Sequence, residues 1–333
     1  MRLATYNIEW MNSLFADDGT LLNDDERSGR HGVTRRDQIA ALCRVFQAMD
    51  ADGVMIIEAP DQGRRRDTVA ALETFAAHAS IRACRAIIGF ANDTQQEIAL
   101  LYDPDVLEVR HYPQVHPGAP QFDGEFAIDL DFDASEDGVV FSKPPLELAV
   151  ETHGGARFRL IGAHLKSKAP HGATTRDEVL RISIANRRKQ LAQAIWLRAR
   201  IAAHLDEGTP LILMGDLNDG PGLDEYEHLF GRSSVEIILG AGQTALFDPH
   251  ARQGLQRRLG ATPTTARFWI KPEQRYLQAL LDYIMVSPDL AARGGRWRIW
   301  HPLDDPACWH DPALRDALVA ASDHFPVSLD IAL

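Results

Sequence analysis

The sequence predicts a mixed α/β fold in which two mostly antiparallel β-sheets are covered by helices. Short apolar segments bounded by turn residues recur along the whole chain, and several neighbouring segments are spaced as hairpins. Three longer segments repeat apolar residues at helical spacing. No linker, internal repeat or low-complexity tract interrupts the 333 residues. A single domain spanning residues 1–333 is therefore expected.

The apolar segments define the expected elements in chain order. Strands are predicted at Leu3–Ile8, Val54–Ile57, Ile98–Tyr102, Val106–His111, Val139–Phe141, Leu146–Val150, Phe158–Ala163, 211–216, Leu280–Val286 and after Phe325. Helices are predicted at 39–49, 64–79 and 176–204. Residues 12–36, 113–138 and 290–321 show no clear period and read as loops. The last of these carries Trp297, Trp300 and Trp309, which we expect in the core, with a rim that contacts ligand as the alternative.

Composition limits the classes of function. Hydrophobic residues make up 45% of the chain and charged residues 25%, which suits a globular protein with a large core. A net charge of −12 argues against a broad basic surface for duplex nucleic acid, but not against a small basic groove or bound metal ions. Three cysteines without metal-ligand spacing favour a reducing compartment. With no signal segment or membrane span in the sequence, a cytoplasmic location is expected.

Polar residues stand at or beside the ends of many predicted strands, and one, Asp282, lies within a predicted strand. The strand at residue 211 runs directly into Asp216 and Asn218, which a simple Asx turn would also explain. Similar positions recur along the chain, and the full set is Asn7, Glu58, His164, Asp216, Asn218, Asp282, Asp323 and His324. Each taken alone has an ordinary structural interpretation, such as a strand-end carboxylate or an exposed loop.

Taken together, these residue types indicate metal-assisted chemistry on phosphorus. Carboxylate and amide oxygens suit Mg²⁺ or Mn²⁺, and Mg²⁺ leaves coordination positions open for phosphate oxygens. Histidines beside carboxylates can orient a water molecule and stabilise charge on a phosphate. The sequence has no cysteine cluster for structural zinc, no glycine-rich phosphate loop and no Gly-x-Ser-x-Gly elbow.

Six segments resemble motifs of the endonuclease/exonuclease/phosphatase superfamily, and they occur in that family's order between residues 5 and 327. The segments are Thr-Tyr-Asn7-Ile-Glu-Trp, Ile-Ile-Glu58-Ala, His164-Leu-Lys-Ser-Lys, Gly-Asp216-Leu-Asn218-Asp, Leu-Asp282-Tyr-Ile and Ser-Asp323-His324-Phe-Pro-Val. The family includes DNase I-like nucleases, abasic-site endonucleases, sphingomyelinases and inositol polyphosphate 5-phosphatases. The resemblance implies a four-layered α/β/β/α sandwich with the site at the top of two packed sheets.

The resemblance also implies roles for individual residues. Glu58 matches the principal Mg²⁺ ligand, and Asn7 and Asp323 match residues close to the same ion or to its bound waters. Lys143, which precedes two prolines, lies where many members have an arginine, so a phosphate contact is an open expectation. Glu97 is a loose match for a residue that orients His164.

The catalytic residues follow from the same comparison. Asp216 matches the residue that orients or deprotonates the attacking water, and Asn218 the residue that holds a phosphate oxygen. His324 matches the histidine that contacts the scissile phosphate, with Asp282 as the carboxylate that orients it. His164 matches a second histidine that stabilises or protonates the leaving side.

Two departures from the family pattern affect the expected substrate. Many members carry glutamine before the metal-binding glutamate, where this chain has Ile57. Abasic-site endonucleases tend to have tyrosine where this chain has His164, which favours the DNase I or phosphodiesterase side of the family. A groove beside His164 has five candidate basic residues, namely Lys166, Lys168, Arg176, Arg187 and Arg188.

Three functions remain open from the sequence. The first is an Mg²⁺-dependent phosphodiesterase or nuclease acting on a phosphoester substrate, with nucleic acid as one candidate. The second is a phosphatase or phosphodiesterase acting on a small-molecule or lipid-derived phosphate, and the third is a non-catalytic binding module on the same fold. Function depends on the loops around the site, so fold cannot choose among them. The sequence does not determine the substrate, the number of metal ions or the oligomeric state.

Overall fold

The computed structural model describes residues 1–92, 96–129, 137–170, 172–220, 231–256, 262–270 and 274–333. The strands are β1 (Arg2–Asn7), β2 (Gly53–Ala59), β3 (Arg85–Ile88), β4 (Glu97–Tyr102), β5 (Leu107–His111), β6 (Phe126–Ile128), β7 (Asp137–Val139), β8 (Leu146–Thr152), β9 (Arg157–His164), β10 (Leu211–Asp216), β11 (Ala266–Ile270), β12 (Arg275–Ala279), β13 (Asp282–Val286), β14 (Gly295–Ile299) and β15 (Val327–Ile331). The helices are α1 (Arg35–Met49), α2 (Thr68–Ala79), α3 (Arg176–Asp206), α4 (Ser234–Leu239), α5 (Pro249–Leu255), α6 (Pro288–Ala292), α7 (Pro306–Trp309) and α8 (Pro312–Ala321), with 3₁₀ turns at Met11–Leu14 and Gly242–Thr244.

Two large sheets form the centre of the fold. The first has six strands in the order β14-β15-β1-β2-β4-β3, and the second has five in the order β13-β10-β9-β8-β5. Each sheet contains one parallel pair, β1 with β2 and β9 with β10, while the other pairs are antiparallel. The predicted pair of mostly antiparallel sheets flanked by helices is confirmed.

Apolar side chains bury both faces of each sheet. Between the sheets, Leu3 and Met55 of the first belong to one fully buried cluster with Leu160, Met214 and Ile284 of the second. Because both faces of the central strands are covered, these strands read as continuous apolar runs rather than as alternating ones.

Helices cover the outer faces and complete four layers. On the first sheet, Leu42 of α1, Phe75 of α2 and Leu318 of α8 join one buried cluster. On the second sheet, Trp196 and Leu197 of α3 lie in another buried cluster. The arrangement is the α/β/β/α sandwich implied by the sequence motifs.

Two glycines are required by the close packing beside the cleft. A Cβ at Gly162 would lie 2.4 Å from Met55 Sδ of the facing sheet, so glycine allows the two sheets to approach. Gly215 has φ +140°, and a Cβ there would lie 2.0 Å from the carbonyl oxygen of Ala163. Only glycine adopts this backbone conformation without strain, and it immediately precedes Asp216.

Some helix and strand boundaries in the structure differ from the predicted ones. α2 begins at Thr68 rather than at residue 64, because the Asp67 side chain accepts a hydrogen bond from the Ala70 backbone N–H. Segment 290–321, expected to be a loop, contains β14, α7 and α8. The expected irregular segment 113–138 contains β6 and the start of β7, and its residues 130–136 lie outside the described part.

The three tryptophans of segment 290–321 have different environments. Trp300 is 4% exposed and lies in the core, and Trp297 packs partly buried against the cluster between the sheets. Trp309 is 48% exposed, so the expectation of a core position is wrong for this residue. Its ring lies 5.3 Å from the Arg315 guanidinium carbon at the surface, a distance typical of a cation–π contact.

None of the helices in the described part of the chain combines the length and apolar character needed to cross a membrane.

Candidate active site

The predicted polar residues meet at one edge of the two sheets. Asn7, His164 and Asp216 end their strands at this edge, whereas Asp282 begins β13 there. His164 and Asp282 are the direct cross-strand neighbours of Asp216, one on each side. A pocket of about 870 Å³ opens above this edge, and the site residues in its lining are Asn7, Glu58, His164, Asp216, Asn218, Asp323 and His324. Asp282 lies behind His324.

His324 is held by a buried carboxylate and a threonine. Its Nδ1 lies 2.7 Å from Asp282 Oδ2, and the Thr265 hydroxyl donates to the same carboxylate oxygen at 2.8 Å. The Thr265 oxygen in turn accepts from the backbone N–H groups of Leu281 and Asp282, both at 3.0 Å. Each partner of Asp282 Oδ2 is therefore fixed, and the other ring nitrogen of His324 is directed towards Asp216.

The charge around His324 favours its protonated form. Burial alone would lower the pKa of His324, but the carboxylates of Asp282 and Asp216 raise the pKa well above its usual range. His324 Nε2 lies 3.9 Å from Asp216 Oδ2, which is too far for a direct hydrogen bond. His324 is therefore an imidazolium that can donate a hydrogen bond into the cleft.

Asp216 lies between the two histidines and is held by neutral donors. Asn7 Nδ2 donates to one carboxylate oxygen at 2.9 Å, and the backbone N–H of Asn218 donates to the other at 2.7 Å. Burial and the negative charge of Asp282 raise the pKa of Asp216 to about 7. The carboxylate can therefore take up and release a proton near neutral pH.

His164 has the opposite electrostatic environment from His324. Burial lowers the pKa of His164 well below its usual range, and the positive charges of Lys143 and His324 add to this effect. Lys143 Nζ lies 3.4 Å from His164 Nδ1, and His164 Nε2 lies 3.8 Å from Asp216 Oδ2. His164 is therefore a neutral imidazole on the other side of Asp216.

Glu97, which the family resemblance loosely suggested as the residue that orients His164, has other hydrogen-bond partners. Its carboxylate accepts from the Gln62 backbone N–H at 3.3 Å and from Asn92 Nδ2 at 2.7 Å. The side chain near His164 Nδ1 is instead Lys143, which the sequence comparison identified as a candidate phosphate contact.

Gln96 connects Lys143 to Glu58. Lys143 Nζ donates to Gln96 Oε1 at 2.7 Å, and Gln96 Nε2 donates to Glu58 Oε2 at 2.6 Å. Many family members have a glutamine immediately before this glutamate, where this chain has Ile57. Here Gln96 supplies the side-chain amide that bonds to Glu58. Burial raises the pKa of Glu58 and lowers the pKa of Lys143. Nothing in the sequence around Gln96 marked it for this position.

The oxygen donors near Glu58 fit a hard divalent cation. Asn7 is 2% exposed, and its Oδ1 has no hydrogen-bond partner among the described residues. Burial and the charge of Asp323 raise the pKa of Glu9, and Asp323 also adds to the raised pKa of Glu58. Asn7, Glu9, Glu58 and Asp323 all line the same pocket, and carboxylate and amide oxygens are the donors that Mg²⁺ prefers. Glu9 was not among the residues singled out in the sequence.

A second possible metal group overlaps the catalytic residues. One ligand atom each from Asp216, Asp282 and His324 lies within 4.8 Å of the others. Asp282 and His324 are already bound to each other, and this favours proton chemistry over metal ligation for the pair.

The basic residues of the cleft are fewer than the sequence suggested, and two of them share a single carboxylate. Lys166, Lys168 and Arg187 line the pocket, whereas Arg176 and Arg188 lie outside its lining. Lys168 Nζ and Arg187 Nη1 approach the buried carboxylate of Asp219 at 2.7 and 2.8 Å. The expected basic groove is therefore restricted mainly to Lys143 and Lys166.

An apolar wall faces these basic residues. The hairpin β11–β12 contributes Phe268, Ile270 and Leu277 to the pocket lining, and the Phe268 ring packs 5.4 Å from the His324 ring. The sequence analysis did not predict this hairpin or Thr265 at its start. The run Ala266–Ile270, with two aromatic residues and an isoleucine, was the available signal.

Backbone strain is concentrated at the cleft. Trp10, Glu58, Gln96 and Asn218 all line the pocket and have φ values of 57°, 64°, 79° and 49°. Non-glycine residues seldom adopt this left-handed region, and such strain is found most often at functional sites.

The model of the Endonuclease/Exonuclease/phosphatase family matches residues 4–324 of this sequence. The chain belongs to this family. Members of the endonuclease/exonuclease/phosphatase family are phosphoester hydrolases, which agrees with the polar residues gathered at the sheet edge. A comparison with curated protein sequences gave no match.

Solved structures show the same fold at low sequence identity. TDP2 from Caenorhabditis elegans is 14% identical with a TM-score of 0.52, covering 100% of this chain and 74% of that one. The human nocturnin catalytic domain with bound sulfate is 15% identical with a TM-score of 0.50, covering 100% and 94%. The mannosyl-6-phosphatase from Bacteroides thetaiotaomicron is 13% identical with a TM-score of 0.50, covering 100% of both chains. At such identities these likenesses establish the fold alone.

Proposed function

We propose that this protein is an Mg²⁺-dependent phosphodiesterase that cleaves P–O bonds by attack of water, with nucleic acid as the first candidate substrate. One observation carries the proposal. Asp216 lies between two histidines in the cleft, with its Oδ2 3.9 Å from His324 Nε2 and 3.8 Å from His164 Nε2, and burial raises its pKa to about 7. A base flanked by two hydrogen-bond donors is the arrangement that attack of water on a phosphate requires.

Glu58, Asn7 and Asp323 are the proposed metal-binding residues, with Mn²⁺ as a possible substitute for Mg²⁺. The unpaired Oδ1 of Asn7 supports this assignment, because its amide nitrogen is already committed to Asp216. When bound, such a metal ion polarises the phosphoryl group and neutralises its charge.

Asp216 is the proposed base for the attacking water. Asn7 and the Asn218 backbone N–H fix its two oxygens. Asn218 Nδ2 donates to Leu165 O at 3.1 Å and only weakly to Asp216 at 3.4 Å, so its second hydrogen can turn to a phosphate oxygen.

The two histidines would stabilise different oxygens of the reacting phosphate. His324, protonated and oriented by Asp282, would donate its Nε2 proton in a hydrogen bond to a non-bridging oxygen. Lys143 can only donate, so His164 Nδ1 accepts from it and His164 Nε2 carries the hydrogen. His164 would then donate to the oxygen of the leaving group.

The walls of the pocket favour a phosphoester with an apolar or aromatic group. Phe268, Ile270 and Leu277 form one side, and Lys166 lies in the same lining. A nucleobase can stack on such a wall while the phosphate reaches the basic side. The net charge of −12, and the pairing of Lys168 and Arg187 with Asp219, disfavour an extended duplex. Single-stranded or nucleotide-like diesters are therefore the preferred candidates.

A phosphatase acting on a small or lipid-derived phosphate is the second candidate. The limited basic surface supports it, because a compact pocket with few positive charges can hold a single phosphate group. The named mannosyl-6-phosphatase shows that a protein with this fold can carry such an activity.

The test compares hydrolysis of bis-p-nitrophenyl phosphate, p-nitrophenyl phosphate, a short single-stranded DNA and plasmid DNA in Mg²⁺, Mn²⁺ and EDTA. Variants His324→Ala and Glu58→Gln test the site, and His310→Ala and Glu26→Gln, both at exposed positions, serve as matched controls. Metal-dependent diester cleavage that only the site variants abolish supports the proposal. Turnover of the monoester alone favours the phosphatase, and absence of turnover on every substrate favours the non-catalytic binding module.

A further inference from the structure

Outside the cleft lining, five histidines of the described part each bury a ring nitrogen without a hydrogen-bond partner, and two of them, His116 and His204, lie side by side. His204 lies in the last turn of α3 and is 0% exposed, and its Nδ1 is unpaired within the described part of the chain. His116 lies between β5 and β6 with its side chain 15% exposed, and its Nε2 is likewise unpaired there. A buried polar atom without a partner costs about 1–3 kcal/mol, so two in one place point to a missing ligand.

A carboxylate completes the group. Glu207 follows His204 by three positions, which places the two side chains on one side of the helix end. The histidine rings lie 5.8 Å apart at 78°, and His116 Nδ1 lies 3.7 Å from Glu207 Oε1. One nitrogen from each histidine and one Glu207 oxygen all lie within 4.8 Å of one another.

A hydrogen bond to Glu147 fixes the tautomer of His204 that leaves Nδ1 able to bind a metal ion. Its Oε1 lies 2.7 Å from His204 Nε2, and its other oxygen lies 2.6 Å from Arg200 Nη1. Since an ionised carboxylate only accepts, His204 Nε2 carries the hydrogen and Nδ1 presents a lone pair. Metal-binding histidines usually donate their second ring N–H to a carboxylate in this way.

We propose that His116, His204 and Glu207 bind a divalent transition metal ion of the Zn²⁺ type. Imidazole nitrogens select Zn²⁺ over Mg²⁺, and three protein ligands with one water complete a tetrahedron. Bonds of about 2.0–2.2 Å place tetrahedral ligands about 3.3–3.6 Å apart, so modest side-chain rotations bring the three atoms into range. The ion would cross-link the segment before β6 to the end of α3.

The experiment measures Zn²⁺ affinity on the full chain after removal of metal with a chelator, by competition with a chromophoric chelator. An Asp216→Asn background removes one ligand atom from the histidine-containing group Asp216, Asp282 and His324 in the cleft. The absorption of bound Co²⁺ reports tetrahedral nitrogen ligation. His116→Ala and Glu207→Gln remove one ligand each while leaving the buried His204 in place. Asp206→Asn, a neighbouring exposed carboxylate, and His78→Ala, an exposed histidine, are the matched controls.

The expected result is one tight equivalent of Zn²⁺ with a tetrahedral Co²⁺ spectrum. His116→Ala and Glu207→Gln should each weaken binding by at least about tenfold, and the controls should not. Zn²⁺ should also raise the thermal midpoint of the parent but not of His116→Ala, while the midpoints in EDTA stay alike. Binding that is unchanged in both ligand variants, or no bound Zn²⁺ in the Asp216→Asn background, would overturn the proposal.

Discussion

Two buried carboxylates of the second sheet have opposite pKa shifts. Glu147 on β8 and Asp216 on β10 are each 1% exposed, and burial by itself raises the pKa of both. Glu147 accepts a hydrogen bond from His204 Nε2 at 2.7 Å and a charged one from Arg200 Nη1 at 2.6 Å, and together these bring its pKa below the usual range. Asp216 receives only neutral donors and faces Asp282, which leaves its pKa at about 7.

Both carboxylates are desolvated to a similar extent, so their different pKa values come from their different hydrogen-bond partners and charged neighbours. Where a guanidinium offsets the burial, the carboxylate stays ionised and connects α3 to the sheet. Where the offset is incomplete, the carboxylate can exchange a proton at neutral pH, at a cost in stability. Asp216 differs from Glu147 because its positive neighbour, His324, lies 3.9 Å away and offsets the burial only in part.

Asp216→Asn gives the largest expected effect on activity. Turnover in Mg²⁺ should fall about 10³-fold, because the proposed base is lost. A carboxylate whose native pKa is raised destabilises the fold progressively as pH rises from about 4 to about 7. In EDTA at pH 8, urea denaturation should therefore show the variant to be at least as stable as the parent. A variant with near-parental turnover would remove Asp216 from the mechanism.

Arg200→Met should lower stability and leave turnover unchanged, which is the opposite of the result expected for Asp216→Asn. Leaving Glu147 buried without its charged partner should lower the free energy of unfolding by about 3–5 kcal/mol, measured by urea denaturation. Turnover per folded molecule should remain near that of the parent. Arg44→Met, which removes an exposed ion pair with Asp311, should change stability by less than about 1 kcal/mol.

The Glu147 cluster also predicts the pH dependence of stability. Its native pKa lies below the usual 4.5, so its contribution is present above pH 4.5 and is lost as pH falls through the native pKa. The acid-induced loss of stability should therefore be smaller in Arg200→Met than in the parent. Equal pH dependence in the two proteins would contradict the assignment of Arg200 as the stabilising partner.

Asp282→Asn tests whether the Asp282 charge keeps His324 protonated in the cleft. The Asp282 charge raises the pKa of His324, so the imidazolium persists to higher pH than in a free histidine. Without that charge, turnover should fall about 10²-fold, and its alkaline limb should move to lower pH. The pH–rate profile measures both effects, and an unmoved alkaline limb would exclude His324 as the group that titrates there.

Thr265→Val is the smallest and most specific change. It removes the hydroxyl that donates to Asp282 at 2.8 Å while keeping the shape of the side chain. We expect about a tenfold decrease in kcat/KM, the usual weight of one hydrogen bond to a charged group. Thr264→Val at the neighbouring, exposed position should leave kcat/KM unchanged. Equal effects from both variants would argue for a general disturbance of β11.

Local sequence signals predicted the edges of the sheets well. Apolar runs that end in Asn7, Glu58, His164 and Asp216 identify buried strands and the polar groups at their ends, because strand burial and chain direction are both visible in the sequence. The family resemblance gave Asp282 as the carboxylate that orients His324, and the two side chains lie 2.7 Å apart.

Contacts that depend on tertiary packing could not be predicted in this way. Gln96 and Thr265 reach the site from segments with no catalytic signature, and only the folded chain brings them within hydrogen-bond distance of Glu58 and Asp282. Glu147 lies inside an apolar run, and its partner Arg200 comes from the middle of a long helix. Neither pairing has a spacing rule that a single sequence could reveal.

The position of β15 has a consequence for the order in which the molecule acquires activity during synthesis. β15 lies between β14 and β1 in the first sheet, and His324 immediately precedes it. A chain still emerging from the ribosome therefore carries Asn7, Glu58 and Asp216 long before it carries His324. The cleft is therefore expected to gain its proposed catalytic histidine only once β15 has inserted beside β1.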